Sequence, residues 1–191
     1  MNKSKKVILV TGCAGFIGFH ICSKILKEDN YEIIGIDNLN NYYDIQLKKD
    51  RLKILRENSK FNFFKLDICN QKLLAKNFSK YKYDFVIHMA AQAGVRFSIE
   101  NRKEYFDTNI FGFYNIIECC TKYKIKHLIY ASSSSVYGTL DKYPYYEDDN
   151  TDRPLSFYAA SKKVNETIAH SYSNIFRLPS SGLRFFTVYG P

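Results

Sequence analysis

The chain has 191 residues, 46% hydrophobic and 25% charged, which fits one ordinary domain with a real core and excludes a disordered or membrane-embedded polypeptide. A net charge of +9 invites a nucleic-acid reading, yet the basic residues are spread along the chain and no nucleic-acid motif accompanies them. The five cysteines (Cys13, Cys22, Cys69, Cys119, Cys120) and four histidines show no metal or redox spacing, as in reduced cytosolic proteins, so no metal site and a cytoplasmic location are expected.

The N-terminal basic segment Asn2–Lys6 imitates the start of a secretory signal. The apolar run behind it, Val7–Val10, is shorter than the roughly seven residues such a signal needs, so it reads as a strand. No stretch approaches the ~18 apolar residues of a membrane span. The strand runs into Gly12, Gly15 and Gly18, spaced three apart, and then into a helix. Glycines at that spacing let the backbone turn tightly and approach a pyrophosphate, whose charge the helix N-terminus attracts. A second strand, Glu32–Ile36, ends on Asp37, an acceptor for ribose hydroxyls that would repel a 2′-phosphate. The pattern points to NAD.

A helix follows from about Ile45 to Asn58. Its basic cluster, Lys48 to Arg56, reads as a solvated face whose positive field could attract an anionic nucleotide substrate. Phe61–Leu66 is a third strand, with Asp67 and Ile68 past its end, and Tyr83–His88 a fourth, entering the small-residue turn Met89–Gly94. A long helix is expected from near Asn101, which with Glu104 makes a capping-box-like pair, to about Tyr123. His127–Ala131 is a fifth strand, a tyrosine-rich loop reaches about Leu155, a helix spans roughly Ser156–Phe176, and Gly182–Phe186 is a sixth strand. Six strands with intervening helices predict an α/β fold: a Rossmann-type, doubly wound, mostly parallel sheet with helices on both faces.

Tyr158 and Lys162 stand four residues apart on one predicted helix and face the same side. A free phenol, with a pKa near 10, is about a thousandth ionised at neutral pH. A nearby ammonium and the charge of an oxidised nicotinamide would favour the phenolate. Tyr158 could then take a proton from a substrate hydroxyl while hydride leaves the carbon. A hydroxyl partner should come from the end of the fifth strand, where Ser132, Ser133, Ser134 and Ser135 supply four.

Together these residues resemble the extended short-chain dehydrogenase/reductase superfamily, in its nucleotide-sugar epimerase and dehydratase branch. Within that branch the chain is most similar to UDP-glucuronate 4-epimerases, including those of capsule gene clusters. The resemblance covers essentially the whole chain and is carried by Thr11–Gly18, Asp37–Asp44, Ala90–Arg96, Ser132–Gly138 and Leu183–Pro191. It implies Ser133, Tyr158 and Lys162 as the catalytic set. It implies an NAD site made by Gly12, Gly15, Phe16, Ile17, Gly18, Asp37, Asn38, Asp67, Ile68, Ala90, Ala91, Gln92, Asn109, Ser132, Tyr158 and Lys162, Asn109 also matching the family's structural asparagine. Lys162 would both hold the nicotinamide ribose and lower the tyrosine pKa. Cys13 replaces the more usual small residue of the glycine loop, with sensitivity to oxidation expected.

Sister dehydratases carry Asp-Glu at the positions of Ser134 and Ser135, and related decarboxylases a glutamate at that of Ser135. Neutral hydroxyls there, with Thr187, could donate to a uronate carboxylate that an acidic residue would repel. The expected substrate is therefore a UDP-sugar, with C4 epimerisation of UDP-glucuronate to UDP-galacturonate through a 4-keto intermediate. Arg96 could pair with an anionic group of the substrate or make a surface salt bridge.

Complete relatives are longer, and this chain stops just after the sixth strand. Residues 1–191 are thus expected to be the NAD-binding domain alone, with the C-terminal substrate domain absent. A truncated epimerase, a split enzyme with a separate C-terminal half, a non-catalytic NAD-binding module and another nucleotide-sugar epimerase or dehydratase remain the competing readings. Relatives dimerise through two helices per subunit, matching those near 101–123 and 156–176, so a homodimer is also expected.

Overall fold

The structure, a computed structural model, describes residues 5–191; the first part of the basic segment, residues 2–4, lies outside them. Six strands form one sheet in the order β3-β2-β1-β4-β5-β6. They are β1 (Lys6–Thr11), β2 (Tyr31–Asp37), β3 (Phe61–Lys65), β4 (Phe85–His88), β5 (His127–Ser133) and β6 (Ser180–Phe185). Every neighbouring pair is parallel, from Ile33 opposite Phe61 at one end to Ser133 opposite Phe185 at the other. The expected fold is therefore present, with a sheet that is wholly parallel.

Alternation along the buried strands divides the core in two. Ile8, Val10, Ile33 and Ile87 pack with Cys22 and Leu26 beside α1 (Phe16–Ile25) and with Leu52 and Leu55 of α2 (Ile45–Arg56). Leu9, Ile34, Ile36, Val86 and Leu128 face the other way. There they meet α3 (Gln71–Lys80), α6 (Phe113–Lys122) and α7 (Phe157–Phe176) through Leu74, Phe78, Phe113, Ile116 and Ala169. The order of connection reverses between β1 and β4, so their C-terminal ends part and open a crevice, where parallel α/β sheets hold ligands.

Three elements differ from the sequence reading. That reading named nothing between Ile68 and Tyr83, where α3 lies; Asn70 caps it by accepting from the Leu73 N–H at 3.0 Å. The long helix is broken at its start: α4 (Phe97–Glu100) ends at Asn101, and α5 (Arg102–Tyr105) begins after it. Asn101 does not cap; its Nδ2 donates back to the Phe97 carbonyl at 3.4 Å, so the capping box does not form. Between α5 and α6 the backbone widens into a π-helical stretch, Phe106–Gly112. Among the described residues no helix is long and apolar enough to cross a membrane.

Candidate functional site

The crevice between β1 and β4 holds a cleft of 410 Å³. Its floor is the turn after β1. Gly12 has φ +68°, and a Cβ there would stand 2.7 Å from the Ala90 nitrogen, so only glycine lets the β1 and β4 turns touch. At Gly18 a Cβ would fall 2.1 Å from the Gly12 carbonyl oxygen, so its absence lets α1 rest on the turn. Gly15 precedes α1 with no side-chain cap, which leaves the first N–H groups of that helix facing the cleft without a side-chain acceptor. Free donors and a positive helix end suit a pyrophosphate. Cys13 lies inside the turn, fully buried, and burial pushes its thiol well above the ordinary value. That environment makes it inert, against the expected sensitivity to oxidation.

Asp37 closes β2 with its carboxylate fixed: Oδ1 accepts from the Leu39 N–H at 2.8 Å and Oδ2 from the Ala14 N–H at 3.3 Å. The loop behind it carries Tyr42, which packs on Phe97 with ring centroids 5.3 Å apart. The basic cluster of α2 is only partly a solvated face. Lys49, Asp50, Lys53, Ile54 and Arg56 are exposed, but Lys48 is 5% exposed and Arg51 half-buried. Lys48 Nζ donates to Asn40 Oδ1 at 2.7 Å and lies 3.6 Å from Asp37. Arg51 reaches the Ala14 carbonyl and the Tyr43 hydroxyl. Sequence reasoning missed both, although Lys48, Leu52 and Leu55 share the helical spacing of one inward face.

At the far end, Ser133 at the end of β5 and Tyr158 at the start of α7 line the same cleft. Burial raises the Tyr158 pKa, and the Ser133 side chain opposes that rise. Lys162, 2% exposed, donates to the Ala131 carbonyl at 2.9 Å, and burial lowers its own pKa to about 8. Its Nζ stands 5.9 Å from the Tyr158 ring centre.

His88 ends β4 beneath this group, with burial, then the Lys162 charge, lowering its pKa to about 3. The ring is therefore neutral. Its Nδ1 sits 2.7 Å from Thr11 Oγ1, which itself accepts from the Ala90 N–H at 3.1 Å. With that acceptance made, the threonine proton is free for Nδ1.

The cleft wall brings together Gly12, Gly15, Phe16, Ile17, Gly18, Asp37, Asn38, Ile68, Ala90, Ala91, Gln92, Ser132, Ser133, Tyr158 and Lys162. Asp67 stands outside it, in a side pocket where Asn38 Nδ2 donates to it at 3.0 Å. Asn109 lies behind the wall and clamps the Gln92 backbone. Its Oδ1 accepts from Gln92 N at 2.7 Å, and its Nδ2 donates to Gln92 O at 3.0 Å and Ser161 Oγ at 3.1 Å. The π-helical stretch sets Asn109 in that position, as such widenings often do at functional sites.

Ser134 and Ser135 lie in the turn after β5 and Thr187 is exposed; none of the three lines the cleft. Arg96 is exposed and outside the wall. Ser132 donates from Oγ to Glu166 Oε1 at 2.6 Å, and Arg184 grips both Glu166 oxygens at 2.9 Å. Nothing local in the chain signals this pair, whose members meet only when β6 lies beside β5.

The sheet order and the glycine turn define a Rossmann dinucleotide-binding protein, with Ser133, Tyr158 and Lys162 in the same cleft. Residues 8–191 match the NAD dependent epimerase/dehydratase family, and the chain belongs to it. It is 54% identical over 185 residues to Protein CapI of Staphylococcus aureus, covering 96% of this chain and 54% of that protein. It is 48% identical over 185 residues to UDP-glucuronate 4-epimerase 4 of Arabidopsis thaliana, covering 96% and 42%. Among solved structures, the UDP-glucuronic acid 4-epimerase of Bacillus cereus in complex with UDP-glucuronic acid and NAD superposes with a TM-score of 0.90 at 39% identity, over 97% of this chain and 58% of that one. The chain thus spans about half the length of the relatives it matches.

Proposed function

We propose that this chain is the NAD-binding and proton-transferring portion of a UDP-sugar 4-epimerase, with UDP-glucuronate and UDP-galacturonate as its substrate pair. The observation that carries the reading is the gathering of Ser133, Tyr158 and buried Lys162 in one cleft with the glycine turn and Asp37. The family match and the named relatives support the UDP-sugar and the C4 position.

The residues fit the cofactor: uncapped N–H groups for a pyrophosphate, Asp37 for a ribose, and spare Lys162 donors beyond Ala131 for a second ribose. NAD, when bound, supplies a hydride acceptor at C4 that returns the hydride to the opposite face. Tyr158 takes the proton of the C4 hydroxyl and gives it back, which requires the phenolate at the moment of transfer. Burial opposes that state, so the Ser133 side chain and a cationic nicotinamide nearby must offset it. The same burial excludes water from the reacting oxygen. Ser134, Ser135 and Thr187 lie outside the cleft lining, close in sequence to Ser133, Phe186 and Val188 that form part of it, and would serve as donors for the uronate carboxylate. In this reading the substrate-binding part belongs to a separate domain outside residues 1–191.

Incubation of the chain with NAD and UDP-glucuronate, followed by chromatography of the nucleotide sugars, tests the reading. Formation of UDP-galacturonate supports it. Tight NAD binding without product, both here and in a protein of the relatives' full length, leaves a non-catalytic NAD-binding module instead.

A further inference from the structure

Three residues of α7 stand four apart on one face of the helix: Tyr158, Lys162 and Glu166. The first two line the cleft, and the third meets the sheet outside the cleft wall. The end of β5 presents Ala131, Ser132 and Ser133 in succession. The Ala131 carbonyl accepts from Lys162 at 2.9 Å, the Ser132 hydroxyl donates to Glu166 at 2.6 Å, and Ser133 lines the cleft with Tyr158. Each member of the helical stripe therefore has its counterpart at the strand end.

Glu166 is the member of that stripe with no part in proton transfer, yet its side chain is 16% exposed and three hydrogen bonds meet it. Register explains them. Ser132 and Arg184 are partners across β5 and β6, so their side chains emerge on one face of the sheet and the carboxylate comes down onto both. Arg184 is fully employed as well. Its Nε and Nη2 hold Glu166, and its Nη1 donates to the Glu147 carbonyl at 2.9 Å. Its guanidinium lies 4.9 Å from the ring centre of Tyr137, in the turn that follows Ser133. A charge pair this buried adds little stability over an apolar pair of the same shape, so its use lies in what it fixes.

We propose that Glu166 is a positioning residue for the Ser133–Tyr158–Lys162 end of the cleft: anchored by Arg184, it holds Ser132 and thereby sets the Ala131 carbonyl against Lys162 and Ser133 beside Tyr158. The inference rests on the NAD reading above and adds to it a residue that acts on the cofactor only through its neighbours. It also moves Ser132 from cofactor contact to latch, since the one proton of its hydroxyl is spent on the carboxylate. Without the latch the end of β5 is free to turn and Lys162 loses its fixed acceptor. Its spare donors then no longer stand where the second ribose of the dinucleotide needs them. The glycine turn after β1 and Asp37 on β2 lie on the other side of β4 from this latch and keep their places.

The test is calorimetric titration of the 191-residue chain with NAD and with ADP, which carries the adenosine and the pyrophosphate but neither the second ribose nor the nicotinamide. Wild type, Glu166→Ala, Ser132→Ala and the double variant are compared, each with its thermal melt. Ser132→Ala leaves the Glu166–Arg184 pair whole and decides the matter if Glu166→Ala fails to fold. Wild type should bind NAD more tightly than ADP. Each single variant should lose about fivefold or more in NAD affinity, while its ADP affinity stays within about twofold of wild type. The double variant should lose no more than Glu166→Ala, because both substitutions break the same latch. Equal losses for NAD and ADP, which a merely structural role would give, overturn the proposal. So do unchanged NAD affinity in Ser132→Ala and losses that add in the double variant. A wild-type chain that binds neither nucleotide overturns the NAD reading itself, and this proposal with it.

Discussion

Burial sets the protonation of the residues beside the cleft, and it works against charge in each. Tyr158 is pushed toward the phenol, Lys162 down to about 8 and His88 down to about 3. For His88 the unfolded chain, with an ordinary histidine, binds a proton between about 6.5 and 3 that the folded chain refuses. Stability is therefore greatest above 6.5 and falls as pH drops through that window, by as much as ~1.4 kcal/mol per pH unit. Urea melts between pH 6.5 and 4.5 should show this slope, and His88→Asn should flatten it. At Tyr158 the change to phenylalanine removes only the titrating oxygen. It should lower turnover of an active protein by about a thousandfold or more while NAD affinity, measured by titration, stays within a few-fold of wild type. Parental turnover in that variant would remove Tyr158 from its assigned role. The residues with local signals were legible in the sequence: the glycine turn and Asp37 are set by backbone geometry at a strand end, and Tyr158 and Lys162 by helical spacing. Lys48 was not, because a lysine among lysines reads as solvated until the Asn40 side chain and the Tyr43 ring are known to surround it.

Legibility at the level of elements followed the same division. All six strands were readable because parallel strands buried on both faces are nearly continuous apolar runs. Helix α3 carries Leu74, Asn77 and Phe78 on its buried face, but that pattern is short and interrupted by lysines. The π-helical stretch had no sequence signal, since the demand for it comes from the Gln92 backbone across the cleft wall. Asn109 answers both polar groups of that residue, and Tyr105 places its hydroxyl 2.6 Å from the Ala93 carbonyl just beyond. Asn109→Ala should therefore leave buried partners unsatisfied and cost roughly 2–4 kcal/mol, read as a lower urea midpoint. The variant should also bind NAD more weakly, because the Ala90–Gln92 turn then loses its clamp.

At the scale of the whole molecule, the chain folds around a sheet whose last strand, β6, has a neighbour on one side only. Leu183 and Phe186 are exposed there. An open edge beside apolar side chains invites association, so light scattering of the isolated chain should rise with concentration and fall when Leu183 is replaced by lysine. The cleft itself is complete without that edge on its glycine-turn side. A melt in NAD at about a hundred times its dissociation constant should gain roughly 2.7 kcal/mol of stability, seen as a higher midpoint. A cooperative melt that NAD leaves in place would refute the assignment of the glycine turn and Asp37.

Glu166 joins three segments at once: Ser132 at the end of β5, Arg184 on β6, and its own helix one turn beyond Lys162. Its carboxyl sits below the ordinary range, since the bonds from Arg184 and Ser132 outweigh the upward push of burial. For α7 to lift away from the sheet here, these bonds must break. Backbone amides from Ala159 to Glu166 should then exchange with deuterium only when the whole sheet comes apart, and Glu166→Gln should let that segment exchange ahead of the rest. The proton-transfer group would thus be timed by the slowest clock in the molecule.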